Sequence, residues 1–382
     1  MKQSLVIILL LGLTLSMSGQ KSKVMAAKQM IDAAKYDEAK EAIEQAVQND
    51  RTSKWHRTYY IQGLLCQTAY DAGVEKDNSK LINLYPDQLF VAYDSYEKAL
   101  ELDARERMHT QIRQHYYSLA NDFRSMGEEL YKKSEYKESL RAFEHAMLIG
   151  ESDLVSAKTD TSLVYNTAMA AYESENWGKA TEYLTMLHED AHSTRATLLL
   201  AMAWLNTGDT TRSREVLMEG LELYDYDESL VMYLINALGR SEKLETARDI
   251  LDKAIEAKPE NYMFYWARGL VLRRMNKREE AILSFRTAAE RAPNTPTLYY
   301  HIGVVYYNIG IDLRQSAMAI TENDEYQEIR KQYLDKFREA VTWLERSYEL
   351  DPTNEKTISR LNQLYYQLDM KEEQKALELI SD

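Results

Sequence analysis

From Tyr262 to Thr295 the chain sets large side chains at Tyr265, Leu272 and Phe285, small ones at Gly269, Ala281 and Ala288, and a proline at Pro293. The order returns upstream as Val231, Ile235, Leu238, Ala247, Leu251, Ala254 and Pro259, and again as Thr197, Ala201, Trp204, Ser213, Leu217 and Gly220. Ser213, Ala247 and Ala281 stand 34 residues apart, a period that marks one repeated supersecondary unit. The spacing predicts two antiparallel helices, A and B, in each unit. Small residues at repeat positions 8, 20 and 27 let the backbones approach, large ones at 4, 11 and 24 fill the gap, and proline at 32 ends helix B.

This pattern resembles the tetratricopeptide repeat. Further copies carry Val164, Ala168, Ala171, Ala180, Leu184 and Leu187, and Phe123, Gly127, Leu130, Ser139, Phe143 and Ala146. The resemblance implies an all-α fold, a right-handed superhelix of about nine hairpins, with repeats starting near residues 20, 56, 120, 161, 194, 228, 262, 296 and 355. Two hairpins carry insertions, near 71–89 and 311–335. The second reads as helix, so both of its helices should be longer, by about 18 Å each if the extra residues divide evenly. In the last repeat Asn362 and Gln374 replace the small residues, as a cap facing water requires.

In the family, A helices line a concave face through positions 2, 5, 9 and 12. The resemblance therefore implies a groove drawn from Arg124, Glu128 and Tyr131, then Tyr165, Met169 and Tyr172, then Leu198, Met202, Met232 and Asn236, and finally Trp266, Arg273, Tyr300 and Tyr307, with Arg274 flanking. Methionine and aromatic groups adapt to peptide side chains. Some cytosolic members clamp a chaperone's terminal carboxylate. Arg124, Asn166 and Arg195 fall at matching places, but Glu128 and Leu199 stand where Asn and a base should be, and Glu128 would repel the ligand.

Composition agrees with helix almost throughout: 382 residues include only 13 Gly and 5 Pro. The net charge of -14, with no cluster of Lys and Arg, argues against nucleic acid as a partner. Met1 and Lys2, the apolar run Leu5 to Leu15 and the Ser16-Met17-Ser18 stretch form a secretory signal pattern. Residues 1–18 should be removed, leaving residues 19–382 as an exported chain, periplasmic or secreted from a Gram-negative bacterium, with no membrane span. Cys66 is the only cysteine, so no intrachain disulfide can form, and its repeat position predicts a core thiol. Most of the 28 tyrosines should pack between helices.

One motif points to chemistry. His188-Glu189-Asp190-Ala191-His192 spells H-E-x-x-H, in which two imidazoles one helical turn apart hold zinc and the glutamate activates water. Here it falls where helix B should end, and repeats occupy both sides. The expectation is a non-enzymatic scaffold without cofactor or metal that binds another protein or peptide, with a zinc-dependent hydrolase as the alternative.

Overall fold

The computed structural model describes residues 20–158, 160–240 and 243–381, with side chains to residue 377. The signal pattern lies outside the described residues. Every regular element among them is helical. The chain divides into two compact units, the first ending at Asp190 and the second beginning at Ala191.

The first unit holds α1 (20–32), α2 (Tyr36–Gln48), α3 (His56–Glu75), α4 (Ser79–Ile82), α5 (Gln88–Leu102), α6 (His109–Lys132), α7 (Tyr136–Glu151), α8 (Thr161–Glu173) and α9 (Trp177–Glu189). The second holds α10 (Thr194–Asn206), α11 (Thr210–Leu223), α12 (Glu228–Arg240), α13 (Leu244–Ala257), α14 (Tyr262–Arg274), α15 (Arg278–Arg291), α16 (Pro296–Ala317), α17 (Asn323–Leu350), α18 (Glu355–Leu368) and α19 (Lys371–Ser381). Hairpins form between consecutive helices, except that α3 pairs with α5 across the short α4. Within each unit a B helix also packs on the next A helix, as α7 does on α8 and α15 on α16, and A helices meet one another, as α6 does α8 and α12 does α14.

The seam inside a hairpin follows from side-chain size. A Cβ on Gly269 would stand 2.5 Å from the ring of Phe285, one on Gly127 2.6 Å from Phe143, and one on Gly63 2.7 Å from Tyr96. All three rings are buried, each gaining about 2 to 3 kcal/mol from leaving water. Ser139 adds polarity without cost: its hydroxyl donates to the Gly127 carbonyl at 2.8 Å.

Capping starts several helices. Asp160 accepts from Ser162 N at 2.9 Å, Asp209 from Arg212 N at 2.9 Å and Asn354 from Thr357 N at 3.1 Å. The tight A-to-B turns share another device. Ala34, Ser134, Glu175, Gly208, Asn276 and Asp369, each two residues before a B helix, all take left-handed φ between 56° and 89°. Only one of these is glycine, so the tight connection imposes the conformation on residues that pay about 1 kcal/mol for it.

In the first insertion, α3 continues to Glu75, and the Gln88 amide donates to the carbonyls of Cys66 at 2.8 Å and Leu81 at 3.0 Å, tying the segment to α3. Cys66 is buried, which pushes its thiol up to about 12. In the second, α16 has 22 residues and α17 28, against 13 in α14 and 14 in α15. The extension is uneven, about 14 Å on one helix and 21 Å on the other, because the break falls at 318–322 rather than midway.

Candidate functional site

In the first unit, α6 carries Arg124, but the guanidinium is engaged: it lies 2.6 Å from Asp160 and 3.6 Å from Glu128. Glu128 therefore offsets the charge next to it, a pairing that the i, i+4 spacing makes easy. On α8, Tyr165, Asn166 and Tyr172 are half-buried, Tyr172 meeting Trp177 edge to face at 5.3 Å. Met169 departs from the groove expectation: it is 8 % exposed, because α8 is buried on several sides from Thr167 to Ala171. A cavity of about 240 Å³ opens beside Arg124, lined also by Tyr116, Asp160 and Leu163.

A polar network on α3 and α6 escaped the repeat-position argument. The Gln67 amide donates to Ser118 at 2.6 Å and to Asp122 at 3.3 Å, and its oxygen accepts from the Tyr96 hydroxyl at 3.0 Å. Burial and then the charge of Asp71 push the Asp122 carboxyl up to about 6, against the Gln67 hydrogen bond. His115 stacks on Tyr96 at 5.4 Å and meets the Tyr60 hydroxyl at 3.3 Å; burial lowers its pKa.

In the second unit, Arg195 on α10 and Asn236 on α12 are exposed, while Met202 and Met232 are half-buried. A cavity of about 520 Å³ lies beside Asn236, bounded by Tyr233, Leu234, Arg214, Arg240 and Lys243. Arg274 is exposed, and its guanidinium reaches α12, 3.0 Å from where a Cβ on Gly239 would stand.

Trp266 and Arg273 on α14 come together over His301 of α16, a residue the groove positions had not named. The indole and imidazole centroids are 6.2 Å apart, and Arg273 Nη1 stands 3.5 Å from His301 Nδ1. The imidazole lies on Phe285, centroids 5.3 Å apart and planes 17° from parallel, with the half-buried Tyr300 at 5.6 Å. Burial, then the positive charges of Arg273 and Lys356, press the His301 pKa down to about 4, so the ring is neutral at neutral pH. Arg273 is itself lowered by burial, partly offset by Tyr300. The Trp266 indole nitrogen is buried without a hydrogen-bond partner. Tyr307 is a second departure from the expected groove. It is 7 % exposed, stacked on Phe337 at 5.8 Å with the Arg360 guanidinium 4.2 Å above it, because the lengthened α17 covers it.

Around the zinc-like motif, α9 stops at Glu189, and Ala191 takes a left-handed φ of 50°. His192 is therefore not carried on the helix that holds His188, and the one-turn presentation of two imidazoles is lost. Among the described residues no group of three His, Cys, Asp or Glu side chains is arranged to hold a metal ion. No helix there is long and apolar enough to cross a membrane.

Residues 234–296 match the family model of the tetratricopeptide repeat. Similar solved structures include MamA AMB-1, 21% identical over 50% of this chain and 92% of its own, with a TM-score of 0.35. MamA from Desulfovibrio magneticus RS-1 is 17% identical over 51% of this chain and 97% of its own, with a TM-score of 0.36. A TPR-repeat protein from Bacteroides fragilis NCTC 9343 is 14% identical over 65% of this chain and 98% of its own, with a TM-score of 0.35. No curated protein matches the sequence.

Proposed function

We propose that this chain, a tetratricopeptide-repeat protein, is an exported, non-enzymatic scaffold that holds a polypeptide segment along the faces of its A helices. The observation that carries the reading is the half-buried group on α14 and α16, where Trp266, Arg273 and Tyr300 surround His301 with an indole N–H that nothing in the fold accepts. An unpaired donor beside aromatic surface is costly to keep and useful to a partner that supplies an acceptor. The end of α9 at Glu189 supports the non-enzymatic part, since a zinc hydrolase built on His188 and His192 would need that helix to continue.

A photo-crosslinking residue tests this reading when placed at Tyr300 on α16 and, as the control, at Leu283 on α15, which is 65% exposed. Polypeptide adducts should form from the first and not from the second; equal labelling would defeat the groove. Export rests on the Met1 to Ser18 pattern alone. N-terminal sequencing of protein recovered from the envelope fraction should begin near Gly19, and an intact Met1 on cytoplasmic protein would remove that part of the proposal.

A further inference from the structure

Arginines of the second unit generally have an acid beside them: Arg248 has Glu245 at 2.5 Å, Arg268 has Asp252 at 2.6 Å, Arg278 has Asp312 and Arg346 has Glu349 at 2.8 Å. In a chain with 61 acidic and 47 basic residues this is the cheap arrangement. Along α14, α16 and α18 it fails. No carboxylate of the described residues lies in salt-bridge range of Arg273, Lys356 or Arg360, although Arg273 is half-buried. The Arg360 Nε is buried with no hydrogen-bond partner, as is the Trp266 Nε1. Lys356 is close enough to His301 to oppose its protonation, as Arg273 does from 3.5 Å. The unsatisfied groups are thus donors and cations, which only an acceptor carrying negative charge completes.

We infer that the seam of α14, α16 and α18 is a docking site for aspartate or glutamate side chains of an acidic peptide segment with apolar neighbours, Arg273, Lys356 and the Trp266 indole N–H receiving the carboxylates. This names the partner chemistry of the scaffold reading and rests on it. Charge complementarity selects the occupant. The cations lie among Trp266, Tyr300 and Tyr307, aromatic surface that suits leucine or aromatic side chains between the acids. The net charge of -14 repels long polyanions and anionic membranes, whereas a short peptide meets the local cations within a screening length of about 10 Å. Leaving a guanidinium half-buried and unpaired costs stability in the free protein, so the site should become more comfortable when filled.

The probe is a short peptide blocked at both ends, alternating leucine with aspartate and glutamate, compared by titration calorimetry with its asparagine and glutamine twin and with an oligonucleotide of equal charge. The acidic peptide should bind, weaken as salt rises, and lose about ten-fold or more in affinity with Arg273→Gln or with Lys356→Gln. Trp266→Phe, which keeps the ring and deletes the N–H, should lose several-fold. Melting curves of these variants should stay at or above the parent, since each removes an unsatisfied group, so a loss of binding is not a loss of fold. Equal binding of the amide twin, tighter binding of the oligonucleotide, or indifference to Arg273→Gln overturns the inference. If the acidic peptide does not bind while the crosslinker at Tyr300 still captures polypeptide, the carboxylate assignment fails and the scaffold reading stands; if neither occurs, both fail.

Discussion

Each unit places a histidine ring flat on the aromatic that fills its hairpin seam, His115 on Tyr96 at 5.4 Å and 14°, His301 on Phe285 at 5.3 Å and 17°. Gly63 makes room for the first aromatic and Gly269 for the second. The surroundings differ in sign. Around His115 stand Gln67, Ser118 and Asp122, the last raised by burial and by Asp71. Around His301 stand Arg273 and Lys356. Repeated backbone geometry thus dictates the stack, while residues on neighbouring A helices set its electrostatics, so one scaffold can present acidic and basic surfaces in different hairpins.

The largest expected effect breaks the shared part. Gly269→Leu and Gly63→Leu should each destabilise their own unit by about 3 kcal/mol or more, because a side chain must enter space already held by a ring. Denaturant unfolding with a probe in each unit checks this, and a small loss at either position would mean that the ring, not the glycine, adapts.

The next two effects test the difference in sign. His301 has a folded pKa of about 4 against an ordinary 6.5, so the unfolded chain binds the proton more readily. Its contribution is complete above 6.5 and is lost as pH falls toward 4, by about 2 to 3 kcal/mol. His301→Gln should flatten that acid limb, measured as unfolding free energy against pH. Asp122 behaves oppositely, with a folded value of about 6 against 3.8. Stability it contributes is present below 3.8 and disappears as pH rises through 6, and Asp122→Asn should raise the stability of the first unit near pH 7 by about 1 to 2 kcal/mol after allowing for solvent screening. An unchanged melting temperature at pH 7 would show that Gln67 and water already compensate the carboxylate.

The smallest effect concerns the turns that both units share. Glu175→Gly should stabilise by about 0.5 kcal/mol, relieving a φ of 58° at some entropic cost, and Ala34→Gly should do so similarly in the first hairpin. Destabilisation in both would mean that the left-handed conformation carries no strain there.

The hairpins were legible from residue size alone, because Gly269 with Phe285 and Gly127 with Phe143 recur at spacings that only close helix pairs explain. The site was legible in part. Trp266 and Arg273 lie on one side of α14 because they are seven residues apart, about two helical turns. Met169 and Tyr307 occupy comparable repeat positions and are nonetheless buried, since repeat position specifies the direction of a side chain but not what a neighbouring helix or a lengthened α17 brings over it. His301 carried no signal as a lone histidine among apolar residues, and its setting depends on Arg273 and Lys356, 28 residues before it and 55 after it.

The amino-acid sequence by itself determined the helices, their pairing and the small-against-large seam, because these depend on contacts within one repeat, where periodicity and volume are local properties. Only the tertiary structure decided which charges acquire partners, which aromatics stay half open and which turn residues are forced left-handed. Each of those outcomes depends on groups from separate repeats meeting at distances of a few ångströms, where a single carboxylate beside Arg124, or its absence beside Arg273, reverses the chemistry of otherwise equivalent positions.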